Sequence, residues 1–232
     1  HGWRCTGAYP EKSGTCRSVC LIAPEGKIIL IPLLILVILG TGIQAFYPTM
    51  GLKWMNLFLA CITVFSLYFF RDPQRIPPNA DGFLAPADGK IVQIREIEDD
   101  ELGKAWQISI FLSVWNVHSQ RVPLSGKVLS KKYNPGKFFA AFKHKASKDN
   151  EQTSVLFEGE KGNKFKIKQI AGWIARRIIN YMEPKKNVER GERLGFIRFG
   201  SRVDIIVPEK FQLDVSLGDI VTGNQTIIGR FK

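Results

Sequence analysis

Two long apolar runs without a charged residue, both near the start of the chain, constrain its fold more than any other feature. The first, IILIPLLILVILGTGIQAFY, belongs to an uncharged stretch from Ile28 to Leu52, and the second, WMNLFLACITVFSLYFF, runs from Trp54 to Phe70. Each is close to the length needed to cross a hydrocarbon layer of roughly 30 Å. A buried core helix is the alternative for the second run alone. Two such runs joined by a turn with Pro and Gly predict a membrane hairpin, with apolar parts at about 28–48 and 54–70.

The charge pattern predicts on which side of the membrane the rest of the chain lies. Lys27 precedes the hairpin, and Arg71 and Arg75 follow it, so both ends are expected on the cytoplasmic side. The formal net charge of +12 at pH 7 favours an anionic partner, either nucleic acid or acidic lipid. Nothing in the sequence resembles a helix-turn-helix, an RNA-binding sheet motif or a zinc finger. We therefore expect acidic lipid as the partner and no nucleic acid.

Composition divides the chain into three parts. Residues 1–20 lack periodicity and hold Cys5, Cys16 and Cys20, and we expect them to be a disordered or non-native tail. Residues 21–75 contain the hairpin and a linker marked by prolines, and residues 76–232 form a second domain. The sequence has no Cys or His cluster with metal-ligand spacing, so no metal is expected.

Alternating apolar patterns bounded by Gly, Pro, Asn or Asp predict a β-rich α+β fold for residues 76–232. The predicted strands are GKIVQIREI, WQISIFLSV, KVLSKKY, SVLFEG, FKIKQIAG, RLGFIRFG, RVDIIVP and GDIVTGNQTIIGRF. Two segments are predicted to be helical, GKFFAAFKHKA at 136–146 and GWIARRIINYM at 172–182. LAPADGKIVQI and LGDIVTGNQTIIG look like the two halves of a biotinyl or lipoyl carrier domain, which predicts a barrel-like sandwich.

Four side chains of the second domain are candidates for chemistry, and each has an ordinary structural alternative. Asp88 lies in a turn bounded by Pro and Gly, where an Asp usually caps its own backbone. His118 follows an apolar strand and could equally be a core or surface residue. Arg121 could pair with a carboxylate or phosphate or be solvated. His144 is flanked by lysines and is most simply read as exposed.

Taken in order, the segments of the chain resemble the short bacterial form of phosphatidylserine decarboxylase proenzymes. The matching stretches cover nearly all of residues 21–232: IAPEG, the apolar hairpin running into FFRDPQRIPP, APADGKI, SVWNVHSQRVP, KASKDNEQ, GERLGFIRFGSRVD and GDIVTGNQTIIG. Alone, Gly200 and Ser201 would suggest only a turn between two strands. In RFGSRVD they resemble the self-cleavage site of that family.

The resemblance implies a self-processing enzyme with a pyruvoyl group. The Ser201 hydroxyl would attack the Gly200 carbonyl, and elimination would cut the chain into a long part, 1–200, and a short part, 201–232, whose first residue becomes pyruvoyl. Ser supplies both the nucleophile and the leaving group, while Gly tolerates a strained backbone. The pyruvoyl ketone would condense with the amine of phosphatidylserine and accept the electron pair left by carbon dioxide, giving phosphatidylethanolamine without a metal or diffusible cofactor.

The resemblance also implies roles for the candidate residues. Longer relatives use an Asp that matches Asp88, together with a His, to activate the serine in a triad-like arrangement. Their motif has two histidines three residues apart, whereas this chain keeps the first as His118 and has Arg121 in place of the second. We therefore expect His118 to protonate the decarboxylated carbon, to act in self-cleavage, or both. Arg121 is expected to bind the substrate carboxylate or phosphate.

Other functions stay open from the sequence. A carrier domain presents a lysine at a hairpin tip between its two halves, and the long intervening stretch has no such tip. A membrane-tethered lipid-binding protein without activity would stay one intact chain, and a decarboxylase of a related serine-headgroup lipid would share the same motifs. The resemblance further implies a homo-oligomer in the bacterial cell membrane, with the catalytic domain on the cytoplasmic face.

Overall fold

Both apolar runs form helices. The computed structural model describes residues 21–136, 150–172, 177–198 and 201–232. A short 3-10 turn at Pro24–Gly26 leads into helix α1, Lys27–Phe46, and helix α2 covers Met50–Phe69. The apolar stretches Pro24–Phe46, of 23 residues, and Met50–Phe69, of 20 residues, are long and apolar enough to cross a membrane, by length and composition.

Close contact and one polar pair hold α1 against α2. Asn56 donates a hydrogen bond of 2.6 Å to the Gln44 side-chain oxygen on the facing helix. A Cβ atom added to Gly40 would lie 2.2 Å from Asn56 Oδ1, so the glycine leaves room for the Asn56 side chain in the position from which it bonds Gln44. Small residues and interhelical hydrogen bonds are the usual means of helix association in lipid, where burial of apolar surface contributes little. The packing of the hairpin therefore suits a bilayer.

The rest of the described chain is built from short and medium strands, which confirms the predicted β-rich α+β class. The strands are β1 Phe83–Leu84, β2 Gly89–Asp99, β3 Gly103–Leu112, β4 Ser119–Arg121, β5 Gly126–Asn134, β6 Gln152–Gly159, β7 Lys164–Ala171, β8 Ile178–Asn180, β9 Asn187–Val188, β10 Arg193–Ile197, β11 Ser201–Pro208, β12 Phe211–Leu213, β13 Ile220–Val221 and β14 Ile227–Phe231.

One of the two helix predictions in this domain is wrong where the structure describes it. Ile178–Asn180, within the predicted helix at 172–182, is strand β8 and pairs antiparallel with β10. Its two adjacent β-branched residues favour a strand. The segment is too short to show a helical or a strand period by itself, so pairing with β10 settles it as a strand. The predicted helix at 136–146 lies almost wholly outside the described residues.

Three antiparallel sheets enclose the main core. The largest has eight strands in the order β13-β2-β3-β11-β7-β6-β5-β9 and curls into a half-barrel. Strand β11 lies at its centre and pairs with β3 on one side and β7 on the other. Alternate residues of β11, Val203, Ile205 and Val207, are fully buried in the core. The smaller sheets have the orders β4-β10-β8 and β1-β14-β12.

The base of the hairpin is joined to the strand domain through backbone bonds and a second apolar cluster. The Ala23 N–H donates to the Phe70 carbonyl at 2.7 Å, and the Asp72 N–H donates to the Leu21 carbonyl at 2.8 Å. Phe69 and Phe70 pack against Phe196 of β10 and are fully buried with it. The end of α2 therefore forms part of the packed interior next to β10.

Candidate active site

Ser201 is the first residue of the central strand of the large sheet. It lies opposite Leu112 of β3 and Ala171 of β7, and it is fully buried. Among the described residues its hydroxyl has no hydrogen-bond partner. Because buried polar groups are nearly always paired, an unpaired buried hydroxyl is unusual, and reaction chemistry is one explanation for it.

The imidazole of His118 is another buried polar group without a full set of partners. His118 lies between β3 and β4 and is fully buried, with its ring centroid 4.4 Å from that of Phe69. Its Nδ1 atom lies 2.9 Å from the Asn116 carbonyl oxygen, while its Nε2 atom has no partner among the described residues. A carbonyl only accepts, so Nδ1 carries the proton and Nε2 is left as a free base.

The surroundings keep this imidazole neutral. Burial lowers the pKa of His118 from 6.5 to about 4, against the smaller opposing effect of the Asn116 hydrogen bond. The positive charge of Arg71 lowers the pKa further, and the negative charge of Asp88 raises it. At neutral pH the ring is therefore a neutral base with an accepting Nε2, which is the form that can take a proton from a hydroxyl.

Phe69 supplies much of the apolar surface over His118, which leads to a prediction. A Phe69→Ala variant should admit water to the ring and raise the His118 pKa from about 4 toward 6.5, because burial is the largest cause of its depression. The measurement is a pH titration of isotope-labelled histidine rings by NMR in the uncleaved Ser201→Ala protein, whose chain has only three histidines.

A matched truncation in the main core separates this effect from general loosening. Phe211 is 4% exposed and packs on Phe83 and Phe231, so Phe211→Ala should leave the His118 titration where it is. A His118 pKa that stays near 4 in Phe69→Ala would show that the aromatic cover does not set it.

Asp88 holds the backbone next to His118. Its carboxylate forms a two-point ion pair with Arg75, in which Arg75 Nη2 lies 2.8 Å from Asp88 Oδ2. It also accepts the Gly223 N–H at 2.8 Å and the Val117 N–H at 3.4 Å. The structure thus places Asp88 beside His118, but the Asn116 carbonyl, rather than this carboxylate, bonds to the ring. A direct role of Asp88 in activating serine stays a prediction.

Arg121 is engaged in a buried ionic cluster. Its Nη2 atom lies 2.6 Å from Asp72 Oδ1, and Arg193 Nη1 lies 2.9 Å from the other oxygen of Asp72. Arg193 also bonds Glu25 at 2.8 Å, and Glu25 accepts the Tyr181 hydroxyl. Burial, with help from Glu25, raises the pKa of Tyr181 to about 12. Substrate binding by Arg121 stays a prediction, since its charge is already paired in this structure.

The ionic cluster ties the hairpin base to strands β4 and β10, and sequence reasoning missed it. Glu25 precedes α1 and Asp72 follows α2, while Arg121 and Arg193 belong to the strand domain. The nearest signal in the sequence is the charged RDPQR segment directly after the second apolar run. Its partners are far away in the chain, so local patterns cannot identify them.

Removing Asp72 should destabilise this junction strongly. Asp72→Ala leaves two mostly buried arginines without their shared carboxylate, and we expect a loss of about 3–5 kcal/mol in the free energy of unfolding. Asp214→Ala is the matched control, since its ion pair with Arg230 is 3.5 Å long and more exposed. We expect that change to cost less than about 1 kcal/mol. Denaturation in detergent checks both variants, and equal losses would contradict a structural role for the cluster.

Several sequence-based candidates lie outside the described residues. Gly200, with Phe199, belongs to the undescribed pair between β10 and β11, and His144 falls in 137–149. Within the described ranges, no group of three or more His, Cys, Asp or Glu side chains could hold a metal ion. Of the sequence-based candidates, the structure therefore describes Ser201 and His118 as two buried groups, with Asp88 and Phe69 near the histidine.

Comparison with known proteins gives consistent matches. The family model described as phosphatidylserine decarboxylase matches residues 62–229. A phosphatidylserine decarboxylase proenzyme of Desulfotalea psychrophila is 43% identical over 171 residues, which cover 72% of this chain and 80% of the relative. Proteins of the same name from Rickettsia akari and Rickettsia bellii are 48% and 49% identical over 183 and 175 residues. These matches cover 75% and 73% of this chain, and 79% and 76% of the relatives.

Proposed function

The chain belongs to the phosphatidylserine decarboxylase family and is an enzyme of that activity, and we propose that it matures by cutting itself between Gly200 and Ser201. The observation that carries the proposal is the buried, unpartnered hydroxyl of Ser201 at the start of β11. A buried hydroxyl ordinarily bonds to a neighbour, and this one has no partner among the described residues.

The fold supports a common site for Ser201 and His118. The Ile197 N–H at the end of β10 donates to the His118 carbonyl at 3.4 Å, and Phe196 pairs with Ser119. From Ile197 the chain needs only three further residues to reach Ser201 in the other sheet. The backbone contact of His118 with Ile197, four positions before Ser201, supports a cut close to the buried imidazole.

Self-cleavage needs a nucleophile and a base, and the two buried groups fill these roles. Ser201 Oγ attacks the Gly200 carbonyl carbon while His118 Nε2 takes the hydroxyl proton and passes it to the Ser201 nitrogen as the amide bond breaks. Loss of the Ser201 Cα proton then expels the Gly200 carboxylate from Cβ. Water replaces the resulting enamine nitrogen, so ammonia leaves and a ketone remains at position 201.

Position 201 fits a pyruvoyl group. The Ser201 side chain is fully buried, and its hydroxyl oxygen has no hydrogen-bond partner among the described residues. When formed, the ketone supplies an electrophile for the substrate amine and a sink for the electron pair left by carbon dioxide. Strand β11 would hold the group, since Ser201 pairs with Leu112 and Ala171.

His118 can also move the protons of the decarboxylation. The substrate amine is an ammonium at neutral pH, and it must lose a proton before its nitrogen can react. His118 Nε2 is free to accept that proton, and the resulting imidazolium can return it to the carbon that has lost carbon dioxide. Because the pKa of His118 is low, taking the ammonium proton is the costly transfer, and the imidazolium it forms is more acidic than an ordinary one, which favours return of the proton.

The short chain should stay bound after the cut. Residues 201–232 supply the central strand β11 and three further strands, β12, β13 and β14, which pair with one another or with strands of the long chain. At the new end, Arg202 is buried and bonds Asp204, Ser109 and Gln93 at 2.6–2.9 Å. These contacts would fix the first residue of the short chain without a peptide bond to residue 200.

The lipid substrate explains why the site adjoins two apolar helices. A diacyl lipid is confined to a bilayer, and a tether raises the local concentration of enzyme at its surface. We propose that the hairpin anchors the enzyme in the bacterial cell membrane with the strand domain on the cytoplasmic face. The basic ends of the hairpin support that orientation. We also propose that the enzyme forms homo-oligomers, as the family resemblance implies.

Carbon dioxide release from defined lipids tests the proposed substrate. Purified protein in mixed micelles should convert phosphatidylserine labelled in the serine carboxyl group, releasing labelled carbon dioxide and leaving phosphatidylethanolamine. Free serine and glycerophosphoserine are the matched controls, because they carry the reacting group without the acyl chains. If cleaved protein releases no carbon dioxide from phosphatidylserine but does so from another serine-headgroup lipid, that lipid is the substrate. The proposed reaction would then stand unchanged.

A further inference from the structure

Three side chains form a small exposed patch where the hairpin meets the strand domain. Tyr68, Arg71 and Trp115 make up this interfacial patch. The Trp115 ring lies edge-on to the Tyr68 ring, with centroids 6.0 Å apart, and the Arg71 guanidinium lies 3.9 Å from the Tyr68 ring centroid. Arg71 also donates to the Trp115 carbonyl at 2.6 Å. The patch is therefore a fixed arrangement and not three independent surface side chains.

The two aromatic side chains of the patch are unusually exposed to solvent. Trp115 is 62% exposed and Tyr68 is 43% exposed, although both rings are packed along one edge. Trp115 also contacts Phe65, which lies one turn before Tyr68 in α2, with ring centroids 6.1 Å apart. The exposed apolar surface of α2 thus continues without a break onto the strand domain. Trp and Tyr at the end of a membrane helix are typical of the headgroup layer, where one ring edge is apolar and the other is wet.

Arg71 adds a positive charge that no carboxylate of the described chain neutralises. Among the described residues, its guanidinium contacts two neutral carbonyls, those of Tyr68 and Trp115, and the Tyr68 ring. By contrast, the nearby Arg75, Arg121 and Arg193 all pair with aspartates or glutamates. An arginine held over the Tyr68 ring and against the Trp115 carbonyl, at the expected membrane boundary, is suited to a phosphate oxygen of a lipid.

We propose that the interfacial patch binds the headgroup layer of an anionic phospholipid bilayer and sets the depth at which the active site meets its substrate. The link to the site is short, because Trp115 precedes His118 by three residues, and Asn116 between them bonds both Ser113 and the His118 ring. The inference rests on the proposed function for its substrate, but the insertion of the patch can be measured without any turnover.

Fluorescence quenching by brominated lipids tests the proposal on the full chain. The protein is reconstituted in vesicles of phosphatidylcholine with phosphatidylglycerol, an anionic lipid without a serine headgroup. The emission of Trp115 is taken as the difference between the unaltered protein and Trp115→Phe. We expect lipid brominated near the glycerol backbone to quench this emission strongly, and lipid brominated near the chain ends to quench it weakly. Removing phosphatidylglycerol, or introducing Arg71→Gln, should reduce the quenching.

A matched tryptophan provides the control. Trp106 lies on β3 and is packed against the main core, about 20 Å along the strand from Leu112. The lipid-quenched emission should persist in Trp106→Phe. Emission from Trp115 that is quenched by aqueous acrylamide and by neither brominated lipid would overturn the proposal. Equal quenching with and without phosphatidylglycerol would overturn its anionic part. Either result is readable even if the protein fails to decarboxylate phosphatidylserine.

Discussion

Ser201→Ala should remain a single chain and release no carbon dioxide from phosphatidylserine. Alanine has no oxygen to attack the Gly200 carbonyl and none to leave from Cβ, so neither the cut nor the ketone can form. We expect decarboxylation to fall to the background of the assay. Denaturing gels and the labelled lipid assay, run on the same preparation, measure the two effects together.

Ser119→Ala is the matched control for this change. Ser119 is also buried, at 5% exposure, its hydroxyl also lacks a partner among the described residues, and it adjoins His118. It begins β4 and carries no role in the proposed chemistry, so Ser119→Ala should be cut as the unaltered chain is. Cleavage that survives in Ser201→Ala but stops in Ser119→Ala would show that the nucleophile is Ser119 of β4 and not Ser201 of β11.

His118→Ala should slow both steps. General acid–base groups typically contribute about 10²–10⁴-fold to a rate, so we expect losses of this size in self-cleavage and in decarboxylation per pyruvoyl group. The two rates need separate measurement, because a protein that is cut less also carries less cofactor. A gel time course gives the cleavage rate, and turnover normalised to the fraction of cut protein gives the decarboxylation rate.

Chemical rescue separates a proton-transfer role of His118 from a structural one. The substitution removes a fully buried ring between Phe69 and Phe196, leaving a cavity that added imidazole can fill. Imidazole should restore part of the rate, while a similar apolar ring such as cyclopentane should not. Because the unaltered His118 has a pKa of about 4, its own rates should stay level from neutral pH down to about pH 5. Rates that fall through pH 6.5 would show an exposed, ordinary histidine instead.

The features that the sequence predicts well are those with a long local pattern. The two apolar runs became α1 and α2, and the long strands such as β2, β3 and β11 follow their alternating residues. Strands β1 and β9 have only two residues each, too few to show any period. Strand β8 shows the same limit, since its three residues are too few to show a period and their pairing with β10 settles them as a strand.

The candidate site was harder to predict because its parts come from separate elements. His118 could be named from its motif, but its burial depends on Phe69 at the end of α2 and Phe196 in β10. Likewise, Asp72 is recognisable as a linker residue, yet its partners Arg121 and Arg193 lie in strands far along the chain. Such contacts follow from the packing of the hairpin base on β10, and no local spacing encodes them.

The mass of the short chain tests the central claim most directly. Purified protein, denatured and separated, should give a fragment that spans residues 201–232 and is lighter than the corresponding serine peptide by one ammonia. Borohydride should add two hydrogens to it, as expected for a ketone at its first residue. An intact chain of 232 residues in folded, membrane-bound protein, or a fragment that begins with an unmodified serine, would contradict a pyruvoyl enzyme.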